Sequence, residues 1–310
     1  LTALARRTLL AAPLALPLAG CAAPFTPAPG APDADADALL RESAAAHGAA
    51  ALARMSDLSV SYAGAWRGLV GRLQPALVDE GFRGGSQERV LLRAGIVAQA
   101  HAGPDGRKQV VRRWGTQAPG EVSVWYDGRA SEDADRRAAA ALVADGYALF
   151  LLGPMLLDGL WRRERMLSAR VAGTRRITTS GGAEAWCDVL RVRLAPGLGL
   201  APADDLALDI DRGTRLMRRV RFSLEGLGST QGAVAEVDCD EHVLLDGLRV
   251  PTRFHERLIR PAPLPVHDWR LTGFDADRGL RAEEVAGDAF AGAAVPPAGA
   301  VPFPAPARLL

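Results

Sequence analysis

WCDVLRVRL (186–194), DLALDID (205–211), LMRRVRFSL (216–224), AEVDCDEHV (235–243) and VPTRFHERL (250–258) are five consecutive stretches with one rhythm. Apolar residues take alternate positions: Leu190, Val192, Leu194; Leu206, Leu208, Ile210; Leu216, Val220, Phe222, Leu224; Ala235, Val237, Cys239, Val243; Val250, Thr252, Phe254. A period of two marks β-strands with one buried face. The positions between them change sign from stretch to stretch: Arg191 and Arg193, Asp209 and Asp211, Arg219 and Arg221, then Glu236, Asp238 and Asp240, then Arg253 and Arg257. Antiparallel pairing sets each basic strand beside an acidic one, and opposite charges across a strand pair favour that pairing. The segment therefore reads as an up-and-down meander. Its charged face is expected to be wet, and its apolar face must be covered.

Outward from the meander, 266–274 alternates through Trp269 and Leu271 as a last strand, and 289–310 is an Ala/Pro/Gly tail expected to be disordered. On the other side, an Arg-rich strand after Trp161 reaches the meander through the Gly181-Gly182 turn. Before it, 131–160 is helical, with Ser131 able to cap and acidic residues in the first turn. Beyond Asp145 this helix is apolar on every side, and Pro154 should kink or end it. Such a segment is either core laid over the sheet or a lid that meets lipid, and the two readings are compatible. Further back, 58–66, 89–100, 107–113 and 122–126 read as strands, with Gly103-Pro104-Asp105-Gly106 closing a hairpin. A helix over 38–55 carries His47 near its apolar stripe, where a local hydrogen bond suffices to explain it.

The N-terminus has the order of an export signal: Arg6-Arg7, an apolar run over 9–19 too short to span a bilayer, then Leu18-Ala19-Gly20-Cys21. Residues 18–21 resemble the lipobox of bacterial lipoproteins, which implies cleavage after residue 20 and lipidation of Cys21. Ala22, in place of the aspartate that retains such proteins at the inner membrane, implies the outer membrane. The Arg pair with Leu9-Leu10 also resembles a twin-arginine signal, so the export route stays open. Residues 21–37 are Ala, Pro and Asp, a spacer composition. With 310 residues, 48% hydrophobic residues and a net charge of +1, nothing favours nucleic acid as a partner.

Catalytic and metal signals are sparse: there is no nucleophile elbow, phosphate loop or zinc helix, and no cofactor is expected. Asp211-Arg212-Gly213 suits a hairpin turn better than a calcium loop. His242 and His255 fall on the charged face by parity, where solvated residues rather than a metal site are expected, and His267 with Asp268 is likewise not expected to hold a metal. Cys187 and Cys239 lie on opposite faces, which disfavours a disulfide. Arg218, Glu241 and Glu256 break the inward pattern, so they mark bulges or strand ends, or they line a partly wet cavity.

The order of elements, the 209–216 hairpin and Asp246-Gly247-Leu248-Arg249-Val250-Pro251 resemble the lipoprotein-localisation-factor (LolA/LolB-like) superfamily over 38–288. The resemblance implies an α+β fold, a strongly curved antiparallel half-barrel capped by helices on its concave face, which receives acyl chains. It further implies that the cavity and lid comprise Leu149, Phe150, Leu152, Met155, Leu156, Leu190, Val192, Leu208, Val220, Phe222, Val237 and Phe254. The expectation is a non-enzymatic, membrane-anchored lipoprotein that binds lipid or lipoprotein acyl chains such as palmitate. The alternative is an assembly lipoprotein with a filled interior and an envelope protein partner.

Overall fold

The computed structural model describes residues 33–116, 118–287 and 290; the export signal, Cys21, most of the spacer and all of the Ala/Pro/Gly tail but Phe290, which is buried, lie outside them. In chain order the helices are α1 (Ala34–His47), α2 (Ala49–Leu52), α3 (Gly68–Leu73), α4 (Pro75–Val78), α5 (Ala134–Asp158) and α6 (Leu160–Glu164). The strands are β1 (Asp57–Trp66), β2 (Gly85–Leu91), β3 (Ile96–Gly103), β4 (Gly106–Arg113), β5 (Glu121–Tyr126), β6 (Arg129–Ala130), β7 (Met166–Thr178), β8 (Glu184–Leu194), β9 (Asp204–Asp211), β10 (Met217–Ser223), β11 (Val234–Asp240), β12 (Val243–Leu245), β13 (Leu248–Val250), β14 (Arg253–Arg260) and β15 (Leu264–Ala276). Thirteen of them form one sheet, in the order β6-β5-β4-β3-β2-β1-β15-β14-β11-β10-β9-β8-β7. The sheet is open, with β6 and β7 at its edges, and the fold is α+β. The last strand joins the two halves: β15 pairs with β1 on one side and β14 on the other, antiparallel to both.

The meander has the expected register. Arg193 faces Asp205, Arg219 faces both Asp209 and Asp238, and Glu236 faces both Arg221 and Arg257. Two corrections concern its surroundings. Val243 and Val250 belong to the separate β12–β13 hairpin rather than to the main sheet. The charged face is covered, not wet: Asp209 and Asp238 are 0% exposed. The turn after β7 folds over it, with the Ser180 N–H and hydroxyl donating to Asp238 at 2.8 Å and the Thr179 hydroxyl donating to Asp240 at 2.7 Å. The charges thus form a buried ladder, where each ion needs its partner to offset lost hydration.

Upstream, 89–100 is not one strand. The chain turns back at 92–95, with Gly95 at φ 60°, and separates β2 from β3. The first helix starts at Ala34, earlier than composition suggests, because Asp33 accepts the Ala36 N–H at 2.6 Å and caps it. It ends at Gly48, whose φ of 99° suits glycine and where an added Cβ would lie 2.3 Å from the Gly247 carbonyl oxygen. His47 is buried there and ties α1 to two distant segments, accepting the Met217 N–H at 3.0 Å and donating from Nδ1 to the Arg249 carbonyl at 2.7 Å. Burial pushes its pKa down to about 4, so it stays neutral.

Helix α5 organises the interior. Asp133 caps it, and it does not stop at Pro154 but kinks at Gly153 and runs on to Asp158. Every residue from Ala139 to Leu157 is buried. Gly153 permits a close approach, since a Cβ there would meet the Met217 methyl at 2.7 Å. One polar residue, Asp145, is 0% exposed and accepts from Arg112 Nε and Nη2 at 3.0 Å, Trp114 Nε1 at 2.9 Å and the Gly199 N–H at 2.9 Å. Arg165 stands 3.6 Å away. This cluster fixes α5 to β4 and to the loop before β9.

Candidate functional site

The twelve positions assigned to cavity and lid come together in one cluster of buried residues. Leu149, Phe150, Leu152, Met155 and Leu156 of α5 are buried in it, and the Phe150 ring lies 5.3 Å from Phe222 of β10 and 5.8 Å from Trp269 of β15. Leu190, Val192, Leu208, Val220, Phe222, Val237 and Phe254 are each at most 2% exposed. In this arrangement they are packed core, and none of the twelve lines the apolar space described next.

That space lies at one end of the sheet, under α3 and α4. It is a hollow of about 440 Å³ walled by Val70 and Leu77 of the two short helices, Ala235 of β11, Leu258 of β14, and Leu264 and Val266 of β15. Leu73 stands at its rim and is 60% exposed; Leu69, one helical turn away, is 54% exposed. The Gln74 amide and Ser229 clasp the rim from opposite sides, Nε2 donating to the Ser229 carbonyl at 3.1 Å and the Ser229 hydroxyl donating to Oε1 at 2.7 Å. The volume falls in the range of about 300–1,000 Å³ typical of small-molecule sites. Glu256 lines the hollow beside a register shift between Glu256 and Arg257, so it marks both a bulge and a cavity wall. Of the other two pattern-breaking residues, Arg218 sits at a register shift and pairs with Asp211 at 3.0 Å. Glu241 ends β11 with φ 52° and pairs with Arg270 at 2.7 Å.

Next to the hollow is a cleft that joins residues from five elements. Tyr62 and Trp66 of β1, His101 of β3, Tyr147 of α5, and His267 and Trp269 of β15 line it, together with Arg83 and Ser86. The rings stack in a column: Trp66 on His267 at 4.2 Å, His267 on Trp269 at 4.6 Å, Trp269 on Phe254 at 5.0 Å. His267 is buried on the inner side, in the same alternating row of β15 as Trp269 and Leu271. His242 is likewise buried, its ring 5.7 Å from His47, because the positive φ of Glu241 turns the chain inward. Only His255 stays near the charged surface, bonded to Asp268.

The inner face of β2 to β5 sets polar side chains among its valines, where the meander's is apolar. Glu88 accepts from Gln99 at 2.9 Å, while Lys108 and the Tyr126 hydroxyl donate to Asp79 at 2.6 and 2.5 Å. Burial pushes the Glu88 carboxyl up to about 8, with the Gln99 bond opposing, and pushes Lys108 down to about 8, with Asp79 opposing. Burial holds His101 and His267 well below the ordinary range and raises the Tyr62 and Tyr147 hydroxyls. Near neutral pH the cleft therefore presents neutral rings, protonated phenols and the Arg83 cation. Its closest acid–base pair, Tyr147 hydroxyl to His267 Nδ1, is 3.4 Å apart. Among the described residues no group of three or more His, Cys, Asp or Glu side chains is placed to hold a metal. Sequence reading missed Arg83, Tyr147 and the stacked column; the available signal was the run of polar residues at inward parity, Glu88, Gln99, His101 and Lys108.

No protein-family model matches the sequence, and no curated protein does. Solved structures do match. One is a DUF1329 family protein from Desulfovibrio piger, with 12% identity, TM-score 0.47, and coverage of 81% of this chain and 96% of that one. Another is a putative outer membrane lipoprotein-sorting protein domain from Vibrio parahaemolyticus, with 8% identity, TM-score 0.48, and coverage of 80% and 95%. A LolA superfamily protein from Nitrosomonas europaea matches with 10% identity, TM-score 0.41, and coverage of 82% and 98%.

Proposed function

We propose that this protein is a cell-envelope lipoprotein, exported by its first 20 residues, anchored at the outer membrane through lipidated Cys21 and held off the bilayer by the part of the spacer that precedes the cap of α1 at Asp33. Its domain, a half-barrel, faces the periplasm and binds one hydrophobic ligand, an acyl chain of a lipid or of another lipoprotein. Binding, not catalysis, is its role. The observation that carries this reading is the hollow beneath α3 and α4: a space of about 440 Å³ whose exposed surface is mainly apolar, in a molecule whose core is otherwise closely packed. Apolar surface left open to water is costly at roughly 25 cal/mol per Å², and a bound chain removes that cost. The exposed Leu73 at the mouth, with exposed Leu69 a helical turn away, suits a surface that meets lipid. The twelve packed positions would line an acyl-chain cavity only after α5 lifted, with Gly153-Pro154 as the place to bend; the hollow needs no such movement.

Native mass spectrometry of protein purified without detergent tests this reading. A lipid adduct is expected in the parent and lost in Leu264→Glu, which puts a charge on the hollow wall. An adduct that persists in that variant would contradict the assignment. The solid packing of α5 on the meander favours a second reading, an assembly lipoprotein that holds a protein partner; protein with no adduct under any preparation would support it.

A further inference from the structure

We infer that the cleft beside the hollow selects the head of its ligand, and that the ligand is an anionic amphiphile whose carboxylate or phosphate is held by Arg83 while its tail lies under α3 and α4. The inference rests on the hydrophobic-ligand reading and adds the chemistry of the head. Arg83 is half-buried over aromatic faces, its guanidinium carbon 4.9 Å from the Trp66 ring centre and 5.8 Å from that of Tyr147. Its hydrogen bonds are long ones, to the Leu77 carbonyl at 3.4 Å and the Tyr147 hydroxyl at 3.3 Å, and among the described residues it pairs with no carboxylate. A guanidinium has five N–H donors in a planar fork that fits a carboxylate or phosphate. Most of that capacity is unused here.

The rest of the cleft supplies donors and no acid. Tyr62 and Ser86 offer hydroxyls, the Tyr147–His267 pair at 3.4 Å leaves one donor between them, the single N–H of neutral His101 already goes to Gln99 Oε1 at 3.4 Å, and no Asp or Glu lines the cleft. The nearby carboxyls, Glu88 and Glu256, are driven toward their neutral forms by burial and leave the Arg83 charge largely uncompensated. The two spaces are neighbours across a shared wall. The Leu77 carbonyl accepts from Arg83 while its side chain lines the hollow, and Trp66, beneath Arg83, packs with Val70 and Val266 of the hollow wall. A head at Arg83 therefore lies one residue layer, Trp66 with Val70 and Val266, from the apolar space.

Titration with dodecanoate, dodecyl phosphate and dodecanol, which share one tail, tests the inference. The parent should bind at least one of the anions about tenfold or more tighter than the alcohol, the scale of a charge-assisted contact, and the tighter anion distinguishes a fatty-acid source from a phospholipid-like one. Arg83→Met should bring anion binding down to the alcohol's level and leave dodecanol unchanged. Arg83→Lys should restore part of the preference, which separates charge recognition from a folding defect. Leu264→Glu should weaken all three. Equal affinity for acids and alcohol in the parent, or equal losses for all three in Arg83→Met, would overturn the head assignment while leaving the hydrophobic site standing; binding of none of them would overturn both.

Discussion

Replacing Asp145 by asparagine removes one charge and almost no volume from the centre of α5. Its carboxylate is 0% exposed and accepts both Arg112 nitrogens at 3.0 Å, with Arg165 at 3.6 Å. Arg112 and Arg165 are 1% and 2% exposed, so neither can turn to water when the charge is lost. Removing one member of such a buried pair costs about 3–5 kcal/mol. The guanidinia keep carbonyl partners, Gly199 at 2.7 Å for Arg112 and Pro196 at 3.1 Å for Arg165, which places the loss toward the lower end of that range. Against a total stability of about 5–15 kcal/mol this is a large fraction. Urea unfolding followed by tryptophan fluorescence reads it as a lower midpoint at unchanged slope. Glu184→Gln is the control: its pair with Arg176 is exposed on both sides, at 56% and 60%, and should matter by less than about 1 kcal/mol. If Asp145→Asn and Glu184→Gln lose equally little, the account of how α5 is fixed is wrong.

The raised Glu88 and Glu256 carboxyls, at about 8 and about 7, give a pH dependence of definite sign. Between the ordinary carboxyl value and those values the folded chain holds protons that the unfolded chain releases, so these groups make stability fall as pH rises through that window. Glu88→Gln should flatten the fall, measured as the difference in urea midpoint between pH 5 and pH 8; a slope identical to the parent's would refute it. His47, lowered from 6.5 to about 4, acts in the opposite sense, its contribution being lost as pH drops through that interval. Gly48→Ala should destabilise by roughly 1–2 kcal/mol from backbone conformation alone, and by more through the contact with Gly247; an unchanged melting curve would exclude the tight α1–β13 approach. Cys187 and Cys239 are buried free thiols, the former raised to about 12 by burial, so both should resist alkylation in native protein and react after unfolding. Rapid native labelling of either, read by peptide mass mapping, would contradict the packing.

The meander was legible because two patterns agreed: apolar residues at period two, and charges that alternate between neighbouring strands. Arg219 between Asp209 and Asp238 is that agreement in three residues. What covers the charged face was not legible, since the Thr179-Ser180-Gly181 turn lies some 60 residues from the carboxylates that it caps and no local period reports such a contact. Helix α5 was ambiguous for a physical reason: a segment apolar on every side looks the same as core or as lid. The fold breaks the tie by wedging Gly153 against Met217 and bonding Asp145 to two arginines, both contacts at long range. The hollow could not be read at all, because its walls come from five separate stretches of chain. Glu256 was the partial exception: one polar residue at an inward position signalled a bulge or a cavity, and it occupies both.

In the proposed function the space under α3 and α4 receives an alkyl chain. A crystal of the protein grown with a brominated long-chain alcohol locates that chain directly through the anomalous signal of bromine. The account predicts a bromine peak within the hollow walled by Leu77, Leu258 and Val266. A hollow that stays empty while the alcohol sits between α5 and the meander, or a chain that is nowhere bound, would contradict it.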